Sequence, residues 1–118
     1  MTRPAPDAGR HADQFPERSR RRLDGEVAYS FEWDPKKAAS NLKDHGVSFD
    51  EATTVFGDIL AMNMPDPDHS EGEQRFLVLG TSQASRLVVV SYAERPPRTR
   101  IISARLATGH ERRKYEND

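Results

Sequence analysis

Residues 29–57, YSFEWDPKKAASNLKDHGVSFDEATTVFG, carry the punctuation of a short strand and two helices before any long apolar run begins. Asp34 is a favoured N-cap, and Pro35 suits the first helical position, where its missing N–H has no intrahelical partner to lose. Gly46 suits the left-handed residue that closes a helix. The spacing puts Ala38, Leu42 and His45 on one face of this first helix, with His45 read as a packing or helix-end residue. Ser48 and Glu51 form a capping box for the second helix, with Val47 as its staple. Phe49, Ala52, Val55 and Phe56 supply an apolar stripe that stops at Gly57.

Downstream the period changes from helical to alternating. ILAMNM (59–64), RFLVLGTS (75–82), RLVVVSYAER (86–95) and RIISARLA (100–107) read as four strands. Gln83–Ser85 is short enough for a hairpin turn, and PPR at 96–98 marks another reversal, so these strands should form an antiparallel meander. Thr108 and Glu111 cap a last helix around RRKYE, whose only large apolar anchor is Tyr115. The fold class is therefore α+β: a short N-terminal strand, two helices packed on a meander, and a short C-terminal helix. In RIISARLA a regular pleat sends Arg100, Ile102, Ala104 and Leu106 one way and Ile101, Ser103, Arg105 and Ala107 the other. The first set, except Arg100 at its start, suits the core, which leaves Ser103 and Arg105 on an open face.

Upstream, residues 1–28 hold prolines, RSRRR at 18–22 and few large apolar side chains, the composition of a flexible charged extension. The folded domain is expected over residues 29–118. Without cysteine there is neither a disulfide framework nor a thiolate metal site. The sequence shows no membrane span and no secretory signal, so a cytoplasmic location is expected.

The formal net charge of -1 conceals a dipole along the chain. Residues 31–74 carry ten acids and three bases, whereas residues 75–118 carry nine bases and four acids. Arg75, Arg86, Arg95, Arg98, Arg100, Arg105, Arg112, Arg113 and Lys114 are phosphate-seeking groups in a protein that is not basic as a whole. They read equally as nucleic-acid contacts or as a solvated face paired with the acidic half.

The ionisable groups concentrate in DPDHSEGEQR, residues 66–75. One reading is structural: Ser70 and Glu73 make another capping box. A calcium loop fails, because glycine falls at the seventh loop position instead of the sixth and Leu77 stands where a bidentate glutamate belongs; a divalent ion on Asp66, Asp68 and His69 stays open as a separate reading. The third reading is acid–base chemistry beside a phosphate binder. His69 titrates near neutrality, Glu73 accepts or orients a proton, and Arg75 forks onto phosphate. Such a set cleaves RNA without metal by moving the 2′-hydroxyl proton, stabilising the charged intermediate and protonating the departing 5′-oxygen.

The segments W-D-x-x-K (33–37), K-x-H-G-V-x-F (43–49), H-S-x-x-E-x-R (69–75) and R-I-I-S-A-R (100–105) occur in order. Over about residues 31–116 the chain resembles the BrnT family of bacterial type II toxins. That resemblance implies a RelE-like fold and a metal-independent endoribonuclease with no cofactor. It also implies neutralisation by a cognate BrnA-like antitoxin that binds operator DNA, so that operator contact runs through the complex. On the matching segments it places catalysis at His69, Glu73, Arg75 and Arg105 and substrate binding at Lys43 and Arg100, while Tyr115 reads separately as an aromatic that stacks on an RNA base. For Arg105 the competing reading is an ion pair with Glu111 or Glu116, and for Tyr115 it is anchorage of the last helix. The competing functional class is a non-catalytic module that keeps the fold and docks a partner. The N-terminal extension has no counterpart in the family pattern.

Overall fold

A computed structural model describes residues 17–23, 27–66 and 73–117, with side chains from Ser30 onward. The chain runs β1 (Glu17–Leu23), β2 (Val27–Trp33), α1 (Pro35–His45), α2 (Phe49–Val55), β3 (Met62–Pro65), β4 (Arg75–Thr81), β5 (Leu87–Arg95), β6 (Arg98–Leu106) and α3 (Gly109–Asn117). One six-stranded sheet has the order β1-β2-β6-β5-β4-β3. The expected meander is β3 to β6, each strand antiparallel to the next. Two features lie beyond the sequence reading. Glu17–Leu23, inside the stretch read as an extension, pairs antiparallel with β2 along its whole length. Strand β2 in turn joins the meander in parallel, through Phe31↔Thr99 and Glu32↔Arg100, so the sheet is mixed.

Local signals explain the helices. Asp34 accepts from the Lys36 N–H at 2.9 Å to start α1, and Gly46, at φ 71°, stops it. Ser48 accepts from the Glu51 N–H at 3.0 Å to start α2. The Glu51 carboxylate does not complete that capping box. It accepts instead from Ser82 and from the Arg86 guanidinium, which holds it below the usual carboxylate range and ties α2 to the β4–β5 turn. Phe49, Ala52 and Val55 are buried beneath α2 against Phe31, Val78, Val88 and Val90, in one core between the helices and the sheet. Gly80 lets α2 approach β4: a Cβ there would stand 3.0 Å from the Ala61 Cβ and 3.1 Å from Val55.

Helix α1 turns a different face inward from the one its apolar spacing suggests. Leu42 is 51% exposed and His45 is exposed, while Asn41 is buried beside a half-buried Ala38. Beyond Arg100, β6 has no partner strand on its outer side, because β2 ends at Trp33 and the chain enters α1. Asn41 takes that place. Its Nδ2 donates to the Ala104 carbonyl at 2.8 Å and the Val47 carbonyl at 2.9 Å, and its Oδ1 accepts from the Ala104 N–H at 3.1 Å. Three buried backbone groups that would otherwise lack partners are satisfied by one side chain.

The pleat of β6 also departs from a regular alternation. Ser103 faces Ser91 and Ile101 faces Tyr92, so Ile102 is an extra residue in a bulge. The one-residue insertion reverses the facing of everything before it. Ile101 and Ala104 both enter the helix-side core, and Arg100, Ser103 and Arg105 share the opposite face. Arg100 is therefore not on the core side, as a regular pleat required.

Truncating Asn41 to alanine strands buried donors and acceptors, and should cost about 2–4 kcal/mol. The expected result is a lower urea midpoint at an unchanged m value. A loss under about 0.5 kcal/mol would show that water or a neighbour replaces the amide.

Candidate nucleic-acid interface

The face away from α1 and α2 divides into two zones. Leu79, Leu87 and Val89 form an apolar cluster joined by Met62, Leu77, Ala107 and Tyr115, so α3 lies over this half. A charged half begins beyond Ser91 and Ser103. The strand register runs Arg75 on β4, Ala93 on β5, Arg100 on β6 and Glu32 on β2, one transverse row of the sheet. The next row outward holds Arg95 and Arg98, paired across the Pro96–Pro97 turn.

Carboxylates alternate with these guanidinium groups. Glu32 directs Oε1 to Arg98 Nε at 3.8 Å and Oε2 to Arg95 Nη1 at 3.7 Å. Glu73 directs Oε1 to Arg95 Nε at 3.6 Å and accepts from Arg75 Nε on Oε2 at 3.4 Å. The chain of charges is Arg98, Glu32, Arg95, Glu73, Arg75. Depth separates the signs at Glu32: its side chain is 6% exposed, against 43% for Arg95 and 32% for Arg98. Glu32 thus lies below its two arginines, whereas Glu73, at 25%, stands at nearly the level of Arg75, at 30%.

The site residues expected from the sequence are distributed unevenly around this zone. Glu73, Arg75 and Arg100 fall within it. His69 lies outside the described residues, as does Ser70 of the capping box proposed for this stretch; Glu73 itself sits in a bend and not in a helix. The chain leaves the described part at Asp66 and returns at Glu73, and the Asp66 N–H bonds the Arg75 carbonyl at 2.9 Å. Lys43 is exposed on α1, the layer on the other side of the sheet. Arg105 faces the same way as Arg100 but stands beside Val89, where it forms a bidentate pair with Glu111 at 2.8 and 2.9 Å.

Helix α3 is held by that pair and by Tyr115. Thr108 and Glu111 make the full capping box, with the Glu111 N–H donating to Thr108 Oγ1 at 3.1 Å and the Thr108 N–H donating to Glu111 at 2.8 Å. The Tyr115 hydroxyl donates to Asp58, which also accepts from the Thr81 and Leu60 N–H groups. The Arg105 guanidinium, helped by the Thr108 donors, outweighs burial and pulls the Glu111 carboxyl down to about 2.

Glu32, Arg95 and Arg98 were not singled out as site residues by the sequence. Arg95 and Arg98 had a legible signal, since the two-residue turn at PP must set them opposite one another. Glu32 had half of one: alternation with Phe31 and Trp33 sends it to the far face, but its neighbour strand is set by a parallel crossover. Among the described residues, no three histidine, aspartate or glutamate side chains converge as a metal-holding group. No described helix is long and apolar enough to cross a membrane.

Fold and face together define a small α+β domain whose open sheet face carries a row of arginines interleaved with carboxylates. Residues 33–111 match the family described as the ribonuclease toxin, BrnT, of type II toxin-antitoxin systems. That span is about two thirds of the chain, and the chain belongs to the BrnT family. The family implies an RNA substrate and an antitoxin partner. The crystal structure of the Brucella abortus ribonuclease toxin BrnT superposes with a TM-score of 0.51 at 20% identity, covering 64% of this chain and 92% of that one, which shows a shared fold. Comparison with the curated proteins finds no match.

The Glu111 shift has a definite sign. A carboxyl depressed in the folded protein contributes stability that is complete above its ordinary value of 4.5 and is lost as pH falls through about 2. In Arg105→Gln the Glu111 carboxyl carbon, followed by NMR, should titrate back toward 4.5. A midpoint that stays near 2 would assign the shift to the cap and not to Arg105.

Proposed function

We propose that this BrnT-family chain is an endoribonuclease that cleaves RNA without a metal ion and thereby inhibits translation, with the charged half of the open sheet face as its RNA-binding surface. The observation that carries the reading is the alternating chain Arg98, Glu32, Arg95, Glu73, Arg75 beside Arg100. Guanidinium groups are the outer members, and backbone phosphates are the ligand that planar fork-like donors suit best.

In this mechanism a base takes the ribose 2′-hydroxyl proton and the oxygen attacks the adjacent phosphorus. The P–O5′ bond breaks, giving a 2′,3′-cyclic phosphate, and an acid protonates the departing oxygen. His69 and Glu73 are assigned as the acid–base pair. Glu73 is well placed for this role in one respect: one of its oxygens lies against Arg75, which would hold a scissile phosphate close to it. Arg75 and Arg105 are the phosphate clamps, and Arg100 adds binding charge. Lys43 keeps the binding role drawn from family resemblance and Tyr115 the base-stacking role, although α1 carries Lys43 away from this face and Tyr115 is engaged with Asp58. For Arg105 to bind phosphate, the phosphate must share or displace Glu111.

The cognate partner is read as a BrnA-like antitoxin that covers this face and carries the complex to operator DNA; the toxin acts in the cytoplasm. The experiment is cleavage of an end-labelled RNA in excess EDTA by the wild type, His69→Ala and Glu73→Ala, beside a DNA strand of the same sequence. RNA alone should be cut, leaving a cyclic phosphate, with each variant slower by about 10²-fold or more. Full activity in both variants would remove the assigned pair. If wild-type protein cuts nothing, with or without ribosomes, the docking-module reading replaces this one.

A further inference from the structure

Glu32 is the deepest charged side chain of the site zone, yet among the described residues its ion pairs are long, 3.7 Å to Arg95 and 3.8 Å to Arg98. Burying a carboxylate carries a desolvation cost, which contacts of this length offset poorly. Stability alone favours an apolar residue between Phe31 and Trp33, both of which are buried in the helix-side core. The geometry gives the carboxylate another use. Its two oxygens are divided between two arginines that face each other across the β5–β6 turn, and two adjacent guanidinium groups repel unless an anion lies between them. Glu32 also stands in register with Arg100 and one residue ahead of the span matched by the family model.

We propose that Glu32 is a positioning residue that sets Arg95 and Arg98 as a second phosphate clamp, taking the RNA backbone phosphate next to the one held at Arg75. This deepens the ribonuclease reading and rests on it. Glu73 links the two clamps, because its carboxylate touches both Arg95 and Arg75. Arg75 begins β4, and Arg95 and Arg98 flank the β5–β6 turn, so all three arginines are carried by strands of the sheet. No covalent step is assigned to Glu32; it acts through the two guanidinium groups.

Charge and position predict opposite signs for its removal. By charge alone, Glu32→Gln deletes a negative group from a polyanion-binding face and should tighten RNA binding. If Glu32 positions the clamp, the same change lets Arg95 and Arg98 separate, and binding weakens. The test measures fluorescence anisotropy of the full chain with a 2′-O-methyl RNA oligonucleotide, which binds but has no 2′-hydroxyl to react. It is paired with KM and kcat on the matching cleavable RNA. Glu32→Gln is expected to weaken binding about tenfold, the effect of roughly one charge-assisted hydrogen bond, with the loss falling on KM more than on kcat. Arg98→Gln, at a more exposed position, should weaken binding to a similar degree, and keeps the test decisive if Glu32→Gln fails to fold by circular dichroism. Unchanged or tighter binding in a folded Glu32→Gln protein, or unchanged binding in Arg98→Gln, overturns the proposal. Failure of the ribonuclease reading is distinct, since it would appear as intact cleavable RNA while the anisotropy still reports on the clamp.

Discussion

The amide of Asn41 is the contact on which the placement of everything else depends. Strand β2 must leave the sheet at Trp33 to begin α1, and this exposes the outer edge of β6. An open buried edge is costly, because each unpaired backbone group forfeits its bonds to water without replacement. Asn41 offers a donor and an acceptor to Ala104, much as a neighbouring strand would, and a further donor to Val47. One side chain thereby fixes α1 on the sheet, closes the edge, and anchors the residue that precedes the N-cap of α2.

That anchorage bears on the opposite face through the bulge at Ile102. With Ala104 held toward α1 and Ile101 packed in the core, the extra residue is absorbed between them. Arg100, Ser103 and Arg105 then share one surface. The helix-side core and the cationic face are thus two consequences of a single irregularity in β6. Its position also separates the surface into an apolar half, where α3 rests through Tyr115, and a charged half that α3 leaves uncovered.

Membership of the BrnT family places the chain among the ribonuclease toxins of type II toxin-antitoxin systems. A row of guanidinium groups interleaved with carboxylates, the deepest being Glu32, is preorganised, so its arginines have less side-chain entropy to lose on meeting an anion. Arg105 stands apart from that row. Its two-pronged bond to Glu111 makes it part of the attachment of α3, so any ligand that draws on Arg105 also loosens the helix.

What the sequence determined by itself is local. Caps at Asp34, Ser48 and Thr108, the stop at Gly46, the turns at Gln83–Ser85 and Pro96–Pro97, and the alternation of β4 and β5 follow from backbone preferences and neighbouring residues, and they suffice for the α+β order and the meander. Glu73 and Arg75 were legible as a pair for the same reason, being two residues apart on one strand entry. Tertiary structure decided the rest. Asn41 inward in place of Leu42, β1 drawn onto the sheet edge, β2 parallel to β6, the bulge, and Glu32 between Arg95 and Arg98 all join residues far apart in the chain. A polar residue on a helix carries no mark of which distant backbone it will satisfy, and one inserted residue reverses a strand's two faces without changing its composition.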